Sequence, residues 1–196
     1  YYRARIIKDS DGEDTGIIRE NGIPITGYNV QYSGVAPIAA IKQNGRVNRI
    51  GEQVLYLAED MVTSCKEQKA EKNTYISVAE CSIKNEISLV DFTITASIGL
   101  NNAFSDEIRQ YFNSKYSCDV RALYICLRAY FENPKYNRNG YIVPLDFLDF
   151  VKRRSDISGI KYFSSYTGKC NIALWDENRN SECKNSKVIV SGIYEK

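Results

Sequence analysis

Three residues of different chemistry, Arg46, Tyr56 and Glu67, follow one another at intervals of ten and eleven residues. The Tyr lies in a strand-like segment, VLYLA, and the Glu lies in the helix-like segment that comes after it. A cation, an aromatic ring and a carboxylate therefore converge around one strand–helix junction. This set suits a ligand that combines a negatively charged phosphate, a flat ring and a sugar, and NAD is such a ligand.

The sequence contains no His, which limits the chemistry that the chain can perform. Ser-His-Asp and Cys-His nucleophile systems are excluded, as is a His general base. Cleavage of NAD at its nicotinamide–ribose bond needs none of these, because nicotinamide leaves as a neutral molecule and requires no proton. A carboxylate that supports the oxocarbenium-like ribosyl centre is needed instead, and Glu67 fits this role. Its helical angle predicts that it faces a cleft or solvent, and an ordinary surface Glu is the alternative.

The other candidates each have a functional and a structural interpretation. Arg46 lies in a Gly-flanked loop, and its planar guanidinium suits a pyrophosphate, although a surface salt bridge is the alternative. The ring of Tyr56 packs either in the core or near the nicotinamide or the ribose. Ser164 and Ser165 follow a predicted strand, where either hydroxyl can hold a phosphate or ribose oxygen or simply end the strand.

Hydrophobic patterning predicts strands, then helices, then strands, which indicates an α+β domain with a central helical segment. Residues 9–52 are rich in Gly, Asn and Asp, and so long a weakly structured stretch is often functional. One early helix is predicted over 59–70, with Met61, Val62 and Cys65 on its apolar face. The predicted strands occupy seven segments: 1–8, 53–58, 74–83, 87–92, 160–163, 171–175 and 187–190.

Three helices are predicted in the centre of the chain, each with an apolar stripe that we assign to the core. The first is capped by Ser105, the second by Asp119, and the third has Pro144 in its first turn. The polar stretch DENRNSECKNS near the end of the chain is interpreted as a hairpin connection. The stripe residues are Phe104, Ile108 and Phe112; Val120, Leu123, Tyr124, Leu127 and Phe131; and Leu145, Leu148 and Val151.

Composition favours one domain over residues 1–196 and argues against several functional classes. The net charge of +2 is too small to indicate nucleic acid, and no apolar run approaches the ~20 residues of a membrane span. The six Cys residues are scattered without a C-x-x-C pair, which favours reduced, buried thiols in a cytoplasmic protein and argues against zinc. Because the chain begins at Tyr1, we expect it to be a piece of a longer protein.

Several motifs together resemble the RES domain family. The pattern GR-x-N-x-x-G, then LYLA, then T-x-x-x-E is followed late in the chain by Y-x-S-S and N-x-x-L-W. The resemblance covers most of the chain, from the opening YYRAR to the serine unit GIKYFSSYTGKCNIALW. It implies a fold related to ADP-ribosyltransferase toxins and an active site of Arg46, Tyr56, Glu67 and Ser164, with Arg3 as a helper.

The same resemblance implies an NAD-consuming enzyme that is commonly the toxin of a bacterial toxin–antitoxin pair. NAD is then the substrate rather than a bound cofactor, with phosphate or water as acceptor and an antitoxin or inhibitory domain as protein partner. Transfer of ADP-ribose to a macromolecule is the enzymatic alternative, and a catalytically weak NAD-binding module is the other. The sequence departs from the family pattern at Ser64, Leu145 and Ser158, where Ala, Gln and Asp are usual.

Overall fold

A mixed β-sheet of eight strands organises the residues that the computed structural model describes, which are 1–93, 118–132, 142–175, 181–184 and 186–192. Its order is β10-β5-β1-β4-β8-β7-β6, with β9 paired to β5. A separate two-stranded ribbon joins β2 to β3. The strands are β1 (Tyr2–Ile6), β2 (Arg19–Glu20), β3 (Ile23–Pro24), β4 (Leu55–Ala58), β5 (Tyr75–Ile83), β6 (Leu89–Asp91), β7 (Gly159–Phe163), β8 (Cys170–Leu174), β9 (Ser181–Cys183) and β10 (Lys187–Val190).

The strand pairings are antiparallel except for β6 with β7, which run parallel. A parallel pair needs a long crossover between its strands, and here the chain between them carries the helical segment. The described helices are α1 (Val30–Ser33), α2 (Met61–Glu67), α3 (Cys118–Glu132) and α4 (Ile142–Lys152). The predicted mixture of strands with a central helical segment is therefore confirmed at the level of a mixed α/β domain.

The seven predicted strands are found close to their expected positions, whereas β2, β3 and β9 were not predicted. Strand β9 lies inside the polar stretch that we interpreted as a connection, and its Cys183 is directly opposite Cys81 of β5. These two residues form a disulfide, so the prediction of reduced thiols is wrong for this pair. Two neighbouring strands bring together Cys residues that are 102 positions apart in sequence. Cys126 also departs from the expectation, because it is exposed.

Helix α2 is shorter than predicted, and its apolar face differs from the expected one. Asp60 caps the helix by accepting a hydrogen bond from Thr63 N at 2.7 Å. Cys65 is fully buried as expected, but Met61 is 39% exposed. The buried face instead includes Thr63, whose hydroxyl lies 2.9 Å from that of Thr167. Polar contacts therefore help to hold this helix against the rest of the domain, and the pattern of apolar residues in the sequence does not reveal such contacts.

The stripes of the central helices are confirmed in part. Leu127 and Phe131 of α3 are buried, but Leu123 is 50% exposed, and Asp119 lies inside the helix rather than at its cap. The predicted residues Leu145, Leu148 and Val151 of α4 are all buried. The first predicted helix and the side chain of Val120 lie outside the described residues.

The core has its largest cluster where α3 and α4 pack on β7 and β8, around Phe92 and Phe131. The opposite face of the sheet packs Leu55 and Leu57 with Ile172 and the disulfide. None of the helices in the described ranges combines the length and the apolar character that crossing a membrane requires.

Candidate active site

One pocket of about 710 Å³ contains four of the five residues that the sequence predicted for the site. Its walls come from β1, β4, α2 and the segment before β4. Arg3, Arg46, Tyr56 and Glu67 all line it. Four separate parts of the chain therefore meet at one pocket. The spacing of Arg46, Tyr56 and Glu67 predicted that these three residues would converge.

Glu67 is the last residue of α2 and reaches across to the neighbouring strand β8. Asn171 donates a hydrogen bond from Nδ2 to Oε1 of Glu67 at 2.7 Å. Asn171 is directly opposite Ala58 of β4 on one side and Tyr162 of β7 on the other, so these three residues form a row across the sheet. Because all three line the pocket, the carboxylate of Glu67 faces its interior.

Tyr56 fixes the loop of residues 44–52, which we call the arginine loop. Its hydroxyl donates to Asn48 Oδ1 at 2.7 Å and accepts from Val47 N at 2.9 Å. Gly45 closes the same turn by donating from its N to Asn48 O at 2.8 Å. A Cβ on Gly45 would clash with Asn48 Oδ1 and would lie 2.8 Å from the Tyr56 hydroxyl. A side chain at position 45 would therefore displace the Asn48 and Tyr56 side chains that hold the loop.

The guanidinium of Arg46 is positioned by an aromatic ring of the sheet. Its Cζ lies 5.1 Å from the centroid of the Tyr162 ring, which is a cation–π distance. Tyr162 is itself buried and belongs to the cluster that α3 and α4 form. The positive charge of Arg46 is therefore held over a buried ring of the sheet, and both residues line the pocket.

Ion pairs with α4 hold the arginine loop from its other side. Lys152 donates to Val47 O at 2.8 Å and to Glu52 Oε1 at 2.5 Å. Arg49 donates to Asp149 Oδ2 at 2.6 Å, and this hydrogen bond lowers the pKa of Asp149 below its usual value. The loop that carries Arg46 is consequently attached to both the sheet and the helix.

Positive charge dominates the pocket wall. Arg3 lies beside Tyr56, with its Nη1 3.4 Å from the Tyr56 carbonyl oxygen. Among the described residues that line the pocket, cations outnumber carboxylates, which favours an anionic ligand. The lining cations are Arg3, Arg5, Lys8, Arg46 and Lys69, and the lining carboxylates are Asp11 and Glu67.

A second group of polar residues, further along β1, was missed by the sequence analysis. Arg5 donates to Tyr32 O at 2.5 Å, and its Cζ lies 4.7 Å from the centroid of the Tyr28 ring. Burial and the hydrogen bond to Asp11 raise the pKa of the Tyr28 hydroxyl, which stays a donor. The segment YYRAR could have indicated the role of Arg5. Residues i and i+2 of a strand point to the same face and lie about 7 Å apart, so Arg5 is expected beside Arg3.

Ser164 is not among the residues that line the pocket. It is 3% exposed, its N donates to Lys169 O at 2.8 Å, and its Oγ accepts from Tyr166 N at 3.2 Å. These contacts build the turn between β7 and β8. The strand residues that flank this turn, Tyr162 and Asn171, line the pocket instead.

The three departures from the family pattern occupy different environments. Ser64 is buried and lines the pocket near Glu67. Leu145 is fully buried in the largest apolar cluster, where an amide side chain would need a hydrogen-bond partner. Ser158 connects strand ends through its backbone, donating to Ser88 O and accepting from Trp175 N. Only Ser64 of the three lines the pocket.

No group of three or more His, Cys, Asp or Glu residues suited to a metal ion occurs in the part of the chain that the structure describes. Comparisons of the chain with protein-family models, with curated proteins and with solved structures found no match. The assignment of a function therefore depends on the residues of the pocket and on their geometry.

Proposed function

We propose that this chain cleaves NAD at the bond between nicotinamide and ribose, as a RES-type domain with an ADP-ribosyltransferase-like fold. One observation carries the proposal: Arg3, Arg46, Tyr56 and Glu67 line a single pocket of about 710 Å³. This volume lies within the range of small-molecule and cofactor sites, roughly 300–1,000 Å³. These four residues thus offer a carboxylate, an aromatic ring and two guanidinium groups to one ligand.

The proposed chemistry depends on Glu67. As nicotinamide departs, positive charge develops at the ribosyl centre, and a preorganised carboxylate stabilises that charge. The hydrogen bond from Asn171 at 2.7 Å fixes one oxygen of Glu67 and leaves the other as an acceptor for the sugar. The leaving group departs neutral, so the lack of His in the sequence is compatible with the reaction.

Binding of the dinucleotide is assigned to the cations of the pocket. Arg46 and Arg3 would hold the pyrophosphate, because a guanidinium donates two parallel hydrogen bonds to phosphate oxygens. Tyr56 and Lys152 already hold the arginine loop in place, so less conformational freedom is lost when the ligand binds. Further along β1, Arg5, which is held over the buried ring of Tyr28, offers a guanidinium group to the adenosine half.

A second, smaller pocket supports phosphate as the acceptor. It has a volume of about 360 Å³ and shares Arg3 and Tyr56 with the first pocket. Lys42 and Glu52 also line it, so two cations and one carboxylate surround a space that adjoins the first pocket and has room for a small anion. Phosphorolysis would release nicotinamide and ADP-ribose 1″-phosphate, whereas hydrolysis would release nicotinamide and ADP-ribose.

The test is incubation of the purified chain with NAD, with and without phosphate, followed by mass spectrometry of the small molecules. We expect free nicotinamide in both samples and the phosphorylated product only when phosphate is present. Intact NAD after prolonged incubation of folded protein would contradict the proposal. ADP-ribose attached to added protein, without a small-molecule product, would favour the transferase alternative.

The same proposal makes the chain a toxin-type enzyme that consumes the NAD of the cytoplasm; the Cys81–Cys183 disulfide removes reduced thiols as a reason for that location. A cell that loses its NAD stops growing, so a protective partner protein would be needed. The simplest protection covers the pocket that Arg46 and Glu67 line. Growth and cellular NAD should then fall together on expression in bacteria, and growth arrest with unchanged NAD would argue against this role.

A further inference from the structure

Asn171 is buried beside Glu67, and its amide oxygen has no hydrogen-bond donor among the described residues. Its side chain is 97% buried, being 3% exposed, and it lines the pocket beside Glu67. Its Oδ1 is buried and accepts no hydrogen bond from the residues that the structure describes. A buried acceptor without a donor is costly, so this atom is a candidate contact for a ligand.

The contact with Glu67 fixes the orientation of the amide. A carboxylate only accepts hydrogen bonds, so the NH₂ group of Asn171 must face Glu67. The carbonyl oxygen, Oδ1, is then directed away from the carboxylate. The Asn171 side chain therefore presents an acceptor, and not a donor, to any ligand that reaches it.

The neighbours of Asn171 shape the space in front of it. On one side the row across the sheet continues to Ala58, whose methyl group is small, and then to Tyr2 of β1. On the other side it continues to Tyr162, whose ring carries the guanidinium of Arg46. A ligand group that lies over Asn171 is thus close to Glu67 and lies between Glu67 and Arg46. The proposed reaction places the nicotinamide ribose at this position, because Arg46 would bind the pyrophosphate that follows it.

We propose that Asn171 binds a hydroxyl group of the nicotinamide ribose through Oδ1 while its NH₂ group holds Glu67. This inference rests on the proposed NAD cleavage. A single amide then connects the sugar to the carboxylate that stabilises the ribosyl centre. The consequence is specificity: the site selects a ribose that carries the bound hydroxyl and rejects the deoxy sugar that lacks it, because that sugar leaves the buried Oδ1 without a donor.

The test compares NAD with two analogues that lack either the 2′- or the 3′-hydroxyl of the nicotinamide ribose. Nicotinamide release gives kcat/KM for each compound. For the unmodified protein we expect one analogue to be poorer than NAD by about 10- to 100-fold. Asn171→Ala should lower kcat/KM for NAD by a similar factor and should reduce the discrimination to within about threefold. Ser155→Ala, at an exposed position after α4 and away from the pocket, should behave as the unmodified protein.

Asn171→Asp provides a second variant of nearly identical shape. It keeps an acceptor toward the sugar but replaces the donor to Glu67 with a like charge. We expect a folded protein with strongly reduced turnover that still prefers NAD to the deoxy analogue that the unmodified protein rejects. Unmodified turnover in this variant would overturn the inference even if Asn171→Ala failed to fold.

The outcomes separate this inference from the proposed function. If the unmodified protein releases nicotinamide and folded Asn171→Ala discriminates against the analogue as before, only the inference is wrong. If the unmodified protein releases no nicotinamide from NAD, the proposed function is wrong, and the inference falls with it.

Discussion

Removal of the Tyr56 hydroxyl, by Tyr56→Phe, tests how the arginine loop is held. The hydroxyl makes two hydrogen bonds, to Asn48 Oδ1 at 2.7 Å and from Val47 N at 2.9 Å. Both partners are buried, since Val47 is fully inaccessible and Asn48 is 6% exposed. At about 1 kcal/mol for each hydrogen bond, the variant should lose about 2 kcal/mol of unfolding free energy. For a domain of this size that corresponds to a melting temperature lower by about 4–8 °C.

The assay combines urea denaturation with NAD kinetics. Because the loop carries Arg46, a looser loop should raise KM for NAD more than it lowers kcat. Tyr166→Phe, which alters an exposed Tyr, is the matched control. A double-mutant cycle with Asn48→Ala should be non-additive, since the two side chains share a hydrogen bond. A loss of less than about 0.5 kcal/mol in Tyr56→Phe would refute the reasoning, because that is the level of an ordinary surface change.

Three further outcomes are expected from other parts of the molecule. Asp149→Asn should lower the melting temperature at pH 7, and this difference should shrink as the pH falls below about 4. The hydrogen bond from Arg49 lowers the pKa of Asp149, so the contact stabilises the folded protein only while Asp149 is ionised. An equal difference at every pH would contradict this. Reduction of the Cys81–Cys183 disulfide should cost about 2–4 kcal/mol in urea denaturation, since the bond closes a loop of about 100 residues; identical curves with and without reductant would argue against the bond. Burial raises the pKa of the Cys65 thiol to about 11, so peptide mapping after treatment with iodoacetamide at pH 8 should find it unmodified until urea is added; rapid labelling of native protein would contradict its burial.

The convergence of Arg46, Tyr56 and Glu67 on one pocket follows from their short spacing in the sequence. Tyr56 and Glu67 belong to a strand and a helix that follow one another directly, so their convergence could be predicted from the order of these elements. Arg46 precedes the same strand by a short loop. These three residues are close in sequence, and a strand–helix junction leaves few arrangements for them.

Contacts between distant segments could not be predicted in the same way. Asn171 meets Glu67 because β8 pairs with β4, and nothing in the local sequence specifies that pairing. The disulfide likewise depends on β9, a strand of three residues in a polar stretch without strand-like patterning. Ser164 shows the opposite case: its sequence context resembled a site residue, yet its side chain is used within a turn.

Nicotinamide release by Glu67→Gln measures the central claim most directly. The substitution keeps the shape of the side chain and removes the negative charge that should support the ribosyl centre. Glu71→Gln, at an exposed position shortly after α2, is the matched control, and melting temperatures verify that both variants are folded. The account predicts NAD cleavage by the unmodified chain and by Glu71→Gln, and a loss of at least about 100-fold in kcat for Glu67→Gln. Unchanged turnover in folded Glu67→Gln would contradict it.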